Sequence, residues 1–242
     1  MNDHQNNLGM PRWKRVLDVC CILLSLPVVL PVALVIFLII RRFSPGPILF
    51  MQERMGYRGE KFMCLKFRTM HCGAETGSHQ SHLKDLMQSN VPMTKMDNRG
   101  DSRIIPFGKI LRSSGLDELP QLINVLQGDM SLVGPRPCLP YEAQQYEEWQ
   151  RERFNGIPGL TGLWQVSGKN RTTFTKMIQL DIEYTRRKSL LLDLWIIAMT
   201  IPALLIQIRD LNQQKRLQRR QQQNMETPVG AAAPLAARAT NN

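Results

Sequence analysis

Two adjacent carboxylates, Asp117 and Glu118, lie in the run Arg112-Ser113-Ser114-Gly115-Leu116-Asp117-Glu118-Leu119-Pro120. Leu119, Leu122, Ile123 and Leu126 follow at helical spacing, and Pro120 suits the first turn of a helix. The pair is therefore expected at or near a helix N-terminus, where free N–H groups and the dipole favour a negative charge. Such a carboxylate serves either as a cap or as an ionised nucleophile. Cations lie close by in sequence. Arg112 precedes the pair, and Arg136 follows it in Gly128-Asp129-Met130-Ser131-Leu132-Val133-Gly134-Pro135-Arg136-Pro137. A glycine and two prolines make that segment a rigid turn, from which a guanidinium can fork onto phosphate oxygens or simply face solvent.

Other chemistry-bearing residues leave alternatives open. Between Lys61 and Arg68 the residues alternate, so Lys66 and Arg68 share one face of a strand. Pro158-Gly159-Leu160-Thr161-Gly162-Leu163-Trp164-Gln165-Val166 permits close backbone approach, with Trp164 available to stack on a base, or forms a structural turn. It has neither Walker nor dinucleotide glycine spacing. Cys72, His79 and His82 match no standard zinc spacing. Asp181 and Asp193 sit in partly apolar helical contexts, where they bind a metal or a substrate hydroxyl, or satisfy buried basic groups.

The elements that must position these groups follow from pattern. Ile48 to Gln52 and Lys61 to Arg68 read as a β-hairpin around Gly56 and Gly59, after the turn Ser44-Pro45-Gly46-Pro47. Helices are expected over Ile104 to Leu111, Leu119 to Leu126 and Thr173 to Tyr184, with an exposed, charged one over Tyr141 to Phe154. His71 to Gly100 reads as a loop with at most one short helix. The fold class is α+β.

The chain has 242 residues, 43% of them hydrophobic, so it can bury a core. A net charge of +11 calls for an anionic partner: nucleic acid, anionic lipid or a phosphorylated substrate. Basic and aromatic residues do not interleave, which argues against nucleic acid. The five cysteines form no framework and read as reduced, fitting a cytoplasmic catalytic part.

Val19 to Ile40 carries no charge and is long enough to cross a bilayer. Pro27 and Pro31 interrupt its middle, the expected membrane break. Arg12, Lys14 and Arg15 flank one end and Arg41 and Arg42 the other. Positive flanks favour the cytoplasmic side, so the segment is either a helix that returns to the same face or a kinked span. Leu190 to Ile208, interrupted by Asp193 and Pro202, reads as an interfacial or buried helix. The resulting organisation is a flexible N-terminus (1–10), a membrane helix (11–43), a catalytic domain (44–210) and a disordered basic, Ala-rich tail (211–242).

Taken together and in order, these motifs resemble the bacterial sugar transferases, the monotopic polyprenyl-phosphate phosphoglycosyl transferases. The resemblance rests on Lys14-Arg15-Val16-Leu17-Asp18, Ser44-Pro45-Gly46-Pro47, Gln52-Glu53-Arg54-Met55-Gly56, Lys66-Phe67-Arg68-Thr69-Met70, Leu116-Asp117-Glu118-Leu119-Pro120-Gln121-Leu122, and the two segments ending at Pro137 and Val166. It implies transfer of a sugar 1-phosphate from a nucleotide diphosphate sugar, usually a UDP-sugar, to undecaprenyl phosphate. It also implies a re-entrant anchor broken at Pro31, in the bacterial inner membrane with the catalytic domain facing the cytoplasm. Asp117 would be the nucleophile that carries the phosphosugar, Glu118 its assistant, and Mg2+ the cofactor beside both. Lys66, Arg112 and Arg136 would contact phosphate, with Pro137 and Gln165 in the same substrate-binding set. Leu30 stands where a serine is common, and Ile157 where a basic residue is frequent. The competing reading is a non-catalytic membrane adaptor that binds anionic lipid through its basic surface.

Overall fold

The computed structural model describes residues 10–71, 103–168 and 172–226, together with Met87 and Ser89. The candidate zinc residues Cys72, His79 and His82, the loop expected over His71 to Gly100 beyond its first residue, and the flexible start expected before Met10 lie outside the described residues.

Helix α1 (Arg12–Phe43) opens the described chain. Pro27 and Pro31 lie inside it as one continuous helical element, not at a break between two. Proline is tolerated there because neighbouring groups can satisfy the carbonyls it leaves open. The apolar residues run all round this helix, as they do in lipid or in a deep core. Its middle is open: Leu24 is 81% exposed and Val28 69%. Its two ends are not. Lys14, Asp18 and Ile22 near the start, and Ile36 and Ile40 near the end, are buried against the rest of the protein.

Strands β1 (Leu49–Met55) and β2 (Lys61–Phe67) form the expected antiparallel hairpin, with Phe50 opposite Lys66. A 3-10 turn, Tyr57–Gly59, joins them, with Gly59 at φ +76°. Helix α2 (Gly108–Ser114) ends on Gly115, at φ +74°. A 3-10 turn (Leu116–Glu118) and α3 (Gln121–Gln127) follow directly. The helix predicted from Ile104 begins later because Ile104 pairs with Met70 in an isolated bridge.

Two three-residue strands, β3 (Ser131–Val133) and β4 (Gly159–Thr161), pair in parallel in a region expected to hold only turns. Glycine makes the pairing possible: a Cβ on Gly134 would stand 2.1 Å from the Ile157 carbonyl oxygen, and one on Gly159 would stand 2.0 Å from Gly134 N. Between these strands run α4 (Pro140–Gln144) and a 3-10 segment, Glu148–Asn155. The exposed charged helix expected over Tyr141 to Phe154 is thus corrected. It is two short pieces, and Glu142, Gln150 and Arg153 are buried in them. Arg153 turns inward to the Arg136 carbonyl and Asp181, and Gln150 Oε1 accepts from Glu147 N–H at the start of its own segment, which periodicity of apolar residues cannot reveal.

Helix α5 (Leu163–Val166) precedes α6 (Phe174–Arg187), which starts where expected, with Thr173 Oγ1 accepting from Lys176 N–H. Phe174, Met177 and Ile178 pack with Trp164, Tyr146 and Cys138 in the largest core cluster. Helix α7 (Leu190–Glu226) carries Leu191, Trp195, Ile201 and Leu205 exposed, while Asp193 and Ile196 are buried. Its backbone stays helical to Glu226, where composition predicts a disordered tail from 211 onward. Gln, Arg, Lys and Leu are good helix formers, and neither Gly nor Pro occurs between Pro202 and Pro228 to end the helix.

Candidate active site

The site begins with β2. Its edge away from β1 has a free N–H at Leu65 and a free carbonyl at Met63. The buried amide of Asn124, on α3, fills both places. Leu65 N–H donates to Asn124 Oδ1 (3.0 Å), and Asn124 Nδ2 donates to the Met63 carbonyl (2.8 Å). One side chain thus does the work of a third strand and fixes α3 to the hairpin. Cys64 and Ile22 pack against Val125 and Met130 beneath this joint.

That joint sets Lys66 opposite the turn that carries the carboxylates. Lys66 Nζ donates to Glu118 Oε1 at 2.9 Å. Asp117, Glu118 and Arg112 are all half-buried. Pro120 stands at the N-cap of α3, and neither α3 nor the preceding 3-10 turn has a side-chain cap hydrogen bond. The N-cap positions themselves are held by Gly115 and Pro120, not by Asp117 or Glu118.

The second cationic group is Arg136, on the loop after β3. Four consecutive carbonyls of this loop each receive a donor. Gly159 N–H binds the Pro135 carbonyl (2.9 Å), Arg153 Nη2 the Arg136 carbonyl (2.6 Å), Arg54 Nη1 the Pro137 carbonyl (3.0 Å), and Met55 N–H the Cys138 carbonyl (2.9 Å). Arg153 and Asp181 form a buried ion pair (2.5 Å), and Arg153 also donates to Tyr146 Oη (2.6 Å). Burial pushes the Asp181 carboxyl up to about 6, against the pull of Arg153 beside it. Burial, then the nearby Arg136 charge, lowers the pKa of Arg54. The Arg136 side chain is looser: Nη1 lies 3.6 Å from Glu142 Oε2, and both atoms are buried without a hydrogen bond.

Cys64 lies buried on β2, packed against α3. Burial raises its thiol pKa, and it senses the charges of Lys66, Arg54, Glu118 and Arg136. Gln165 is half-buried, its Oε1 unpaired and close to Gly162. Pro137 contributes its carbonyl to Arg54. Trp164, expected as a possible base stack, is a core residue whose Nε1 donates to Thr172 Oγ1 (2.7 Å). Asp181 and Asp193 satisfy buried cations. Asp193 pairs with Lys14 (2.5 Å), and Tyr184 Oη donates to Asp193 and accepts from Lys14. Arg54, Asn124, Glu142 and Arg153 join the site although sequence reasoning did not single them out. The motif Gln52-Glu53-Arg54-Met55-Gly56 was the one signal for Arg54, and Arg153 had none.

Residues 10–207 match the family described as bacterial sugar transferase. This chain belongs to the bacterial sugar transferase family. The bacterial sugar transferase is 42% identical over 200 residues to the UDP-glucose:undecaprenyl-phosphate glucose-1-phosphate transferase of Caulobacter vibrioides, across 79% of this chain and 69% of that protein. It is 37% identical over 195 residues to the exopolysaccharide production protein ExoY of Sinorhizobium fredii, across 78% and 84% of the two chains. It is also 35% identical over 210 residues to the undecaprenyl-phosphate galactose phosphotransferase of Salmonella typhimurium, across 83% of this chain and 43% of that one. Among the described residues, no group of three or more His, Cys, Asp or Glu side chains could hold a metal ion. Asp117 and Glu118, adjacent and half-buried, are a carboxylate pair of the kind that suits Mg2+, which commonly takes one or two carboxylates and completes its shell with water and substrate phosphate. Ile157, where a basic residue is frequent, is buried, so its apolar side chain suits its place.

Proposed function

We propose that this protein transfers a sugar 1-phosphate from a UDP-sugar to undecaprenyl phosphate, initiating a polysaccharide or glycoconjugate. The printed names of the Caulobacter and Salmonella relatives support the substrate classes. The observation that carries the reading is the Lys66–Glu118 pair at 2.9 Å, beside Asp117 in the chain. An Asp117 carboxylate oxygen attacks the phosphorus that bears the sugar. The bond to the bridging oxygen breaks and UMP leaves. A phosphate oxygen of undecaprenyl phosphate then attacks the same phosphorus, forming the lipid diphosphate sugar and returning Asp117 as a carboxylate. Lys66, Arg112 and Arg136 neutralise the diphosphate so that an anionic nucleophile can approach. Asp117 and Glu118 are the residues that would hold Mg2+, which supplies further neutralisation of phosphate charge when bound.

The same reading places the protein on the cytoplasmic face of the inner membrane. A straight α1 of 32 residues would be about 48 Å long, yet both of its ends pack on one catalytic body. Lys14 and Ile22 contact α6, α7 and α3, and Ile36 and Ile40 pack with Phe67 and Leu111. A helix held at both ends by one body dips into the bilayer and returns, with its exposed apolar middle in lipid. The exposed apolar residues of α7 suit the interface beside it.

The test is Mg2+-dependent UMP release by purified protein across a panel of UDP-sugars. Wild type should release UMP and carry a phosphosugar on Asp117 when the lipid acceptor is withheld. Asp117→Ala should do neither, and robust turnover by that variant would overturn the nucleophile assignment. A protein that releases no UMP would favour the adaptor reading.

A further inference from the structure

We propose that Arg54 and Arg153 are positioning residues that act through Arg136, an inference that rests on Arg136 contacting donor phosphate. The backbone around Arg136 is over-determined while its side chain is not. From Pro135 to Cys138 every carbonyl is bound, two by main-chain N–H groups and two by the guanidinium groups of Arg153 and Arg54. Those two arginines come from different elements, Arg54 from the hairpin and Arg153 from the 3-10 segment before β4. Both are buried: Arg54 is 9% exposed and Arg153 1%. Yet Arg136 Nη1 reaches Glu142 only at 3.6 Å and makes no hydrogen bond.

Burying a charge is costly even when it is paired, so a buried guanidinium is weak evidence for stability. It is well suited to placement. Each carbonyl bond fixes one peptide plane: Gly159 N–H at the Pro135 carbonyl and Arg153 at the Arg136 carbonyl fix the two planes that flank the Arg136 Cα, and Arg54 at the Pro137 carbonyl fixes the plane that follows. Gln52 Oε1 accepts from Arg54 Nη2 (2.7 Å) and Asp181 holds Arg153, so neither clamp arm can swing. Arg136 then meets a phosphate without first ordering its own loop, the kind of pre-organisation on which rate depends steeply.

A double-mutant cycle tests this, using kcat/KM for UMP release. Arg136→Ala and Arg54→Lys should each lower it, the latter by about tenfold, because lysine cannot fork to Gln52 and the Pro137 carbonyl together. In the Arg136→Ala background, Arg54→Lys should cause less than about a twofold further loss. Amide exchange of the 134–138 segment should rise in Arg54→Lys while that of 116–119 stays unchanged. Arg153→Lys should behave alike; should its full burial prevent folding, Arg54→Lys alone decides. Losses that multiply in the double variant, or unchanged exchange at 134–138, overturn the inference while leaving the transferase reading intact. A wild type that releases no UMP overturns both.

Discussion

Lys66 on β2 reaches Glu118 on the 3-10 turn, Nζ to Oε1, at 2.9 Å. Both side chains keep solvent, at 23% and 39% exposure, so the ion pair adds at most about 1 kcal/mol to folding. Its consequence is orientation: the ammonium is brought beside the carboxylate pair from a strand that Asn124 holds in register. Lys66→Met should therefore melt within a few degrees of wild type. Its kcat/KM for UMP release should fall by about ten- to a hundredfold, the scale of one charge-assisted hydrogen bond. Lys66→Arg should retain part of the activity. Steady-state kinetics beside a thermal melt check both halves, and wild-type kinetics in Lys66→Met would remove Lys66 from the site.

The residues of that relationship were legible in the sequence for definite reasons. Period-two alternation places Lys66 on a strand face, and a proline-marked helical pattern places Asp117 and Glu118 just ahead of α3. The Arg136 clamp was not legible. Arg153 and Asp181 are 28 positions apart, in a stretch whose charge predicts exposure. Apolar periodicity reports where hydrocarbon is buried and is silent about a cation buried with its partner. The β3–β4 pairing was hidden likewise, since three-residue strands crossing at glycines have no side-chain alternation to read. In α1 the basic flanks were visible but their work was not. Arg15 donates to the Val125 and Leu126 carbonyls at the end of α3, and Asp18 Oδ1 accepts from Leu132 N–H.

Lys14 and Asp193 tie the start of α1 to α7, at 2% and 0% exposure. Removing one partner leaves the other charged and buried. Lys14→Met should cost about 3–5 kcal/mol. Lys14→Met combined with Asp193→Leu should recover part of that loss, since the pair leaves no orphaned charge, and Tyr184 Oη keeps the Val133 carbonyl as an acceptor. Thermal melts of the singles and the double in one detergent decide it. A double variant less stable than either single would mean that the pair itself, not the orphaned charge, holds α1 in place.

Asp181 gives the fold a titration in the mildly acidic range. Its folded pKa of about 6 lies above its ordinary 3.8 because burial disfavours the charged form. The folded state therefore holds this proton more tightly than the unfolded chain does. The resulting stability is complete below about pH 4 and is lost as the pH rises through 6. Asp181→Asn has no proton to lose. The difference in melting temperature between variant and wild type should shift in the variant's favour from pH 4 to 7, then level off. A difference that stays constant across the window would mean that Asp181 ionises as an ordinary carboxylate.

The packing of both ends of α1 on one body makes the topology testable without activity. Arg12 and Arg42 are exposed at opposite ends of the helix, outside its apolar middle. A re-entrant helix keeps both on the cytoplasmic side, as the basic flanks favour. With Cys20, Cys21 and Cys72 replaced by alanine, Arg12→Cys and Arg42→Cys should each resist a membrane-impermeant maleimide in intact cells. Both should react once the cells are permeabilised. A spanning helix would put one end outside, and labelling of either cysteine in intact cells would establish it. That result would also require the contacts of Lys14 or of Ile40 to break, because a single domain cannot pack against both ends of a spanning helix from one side of the membrane.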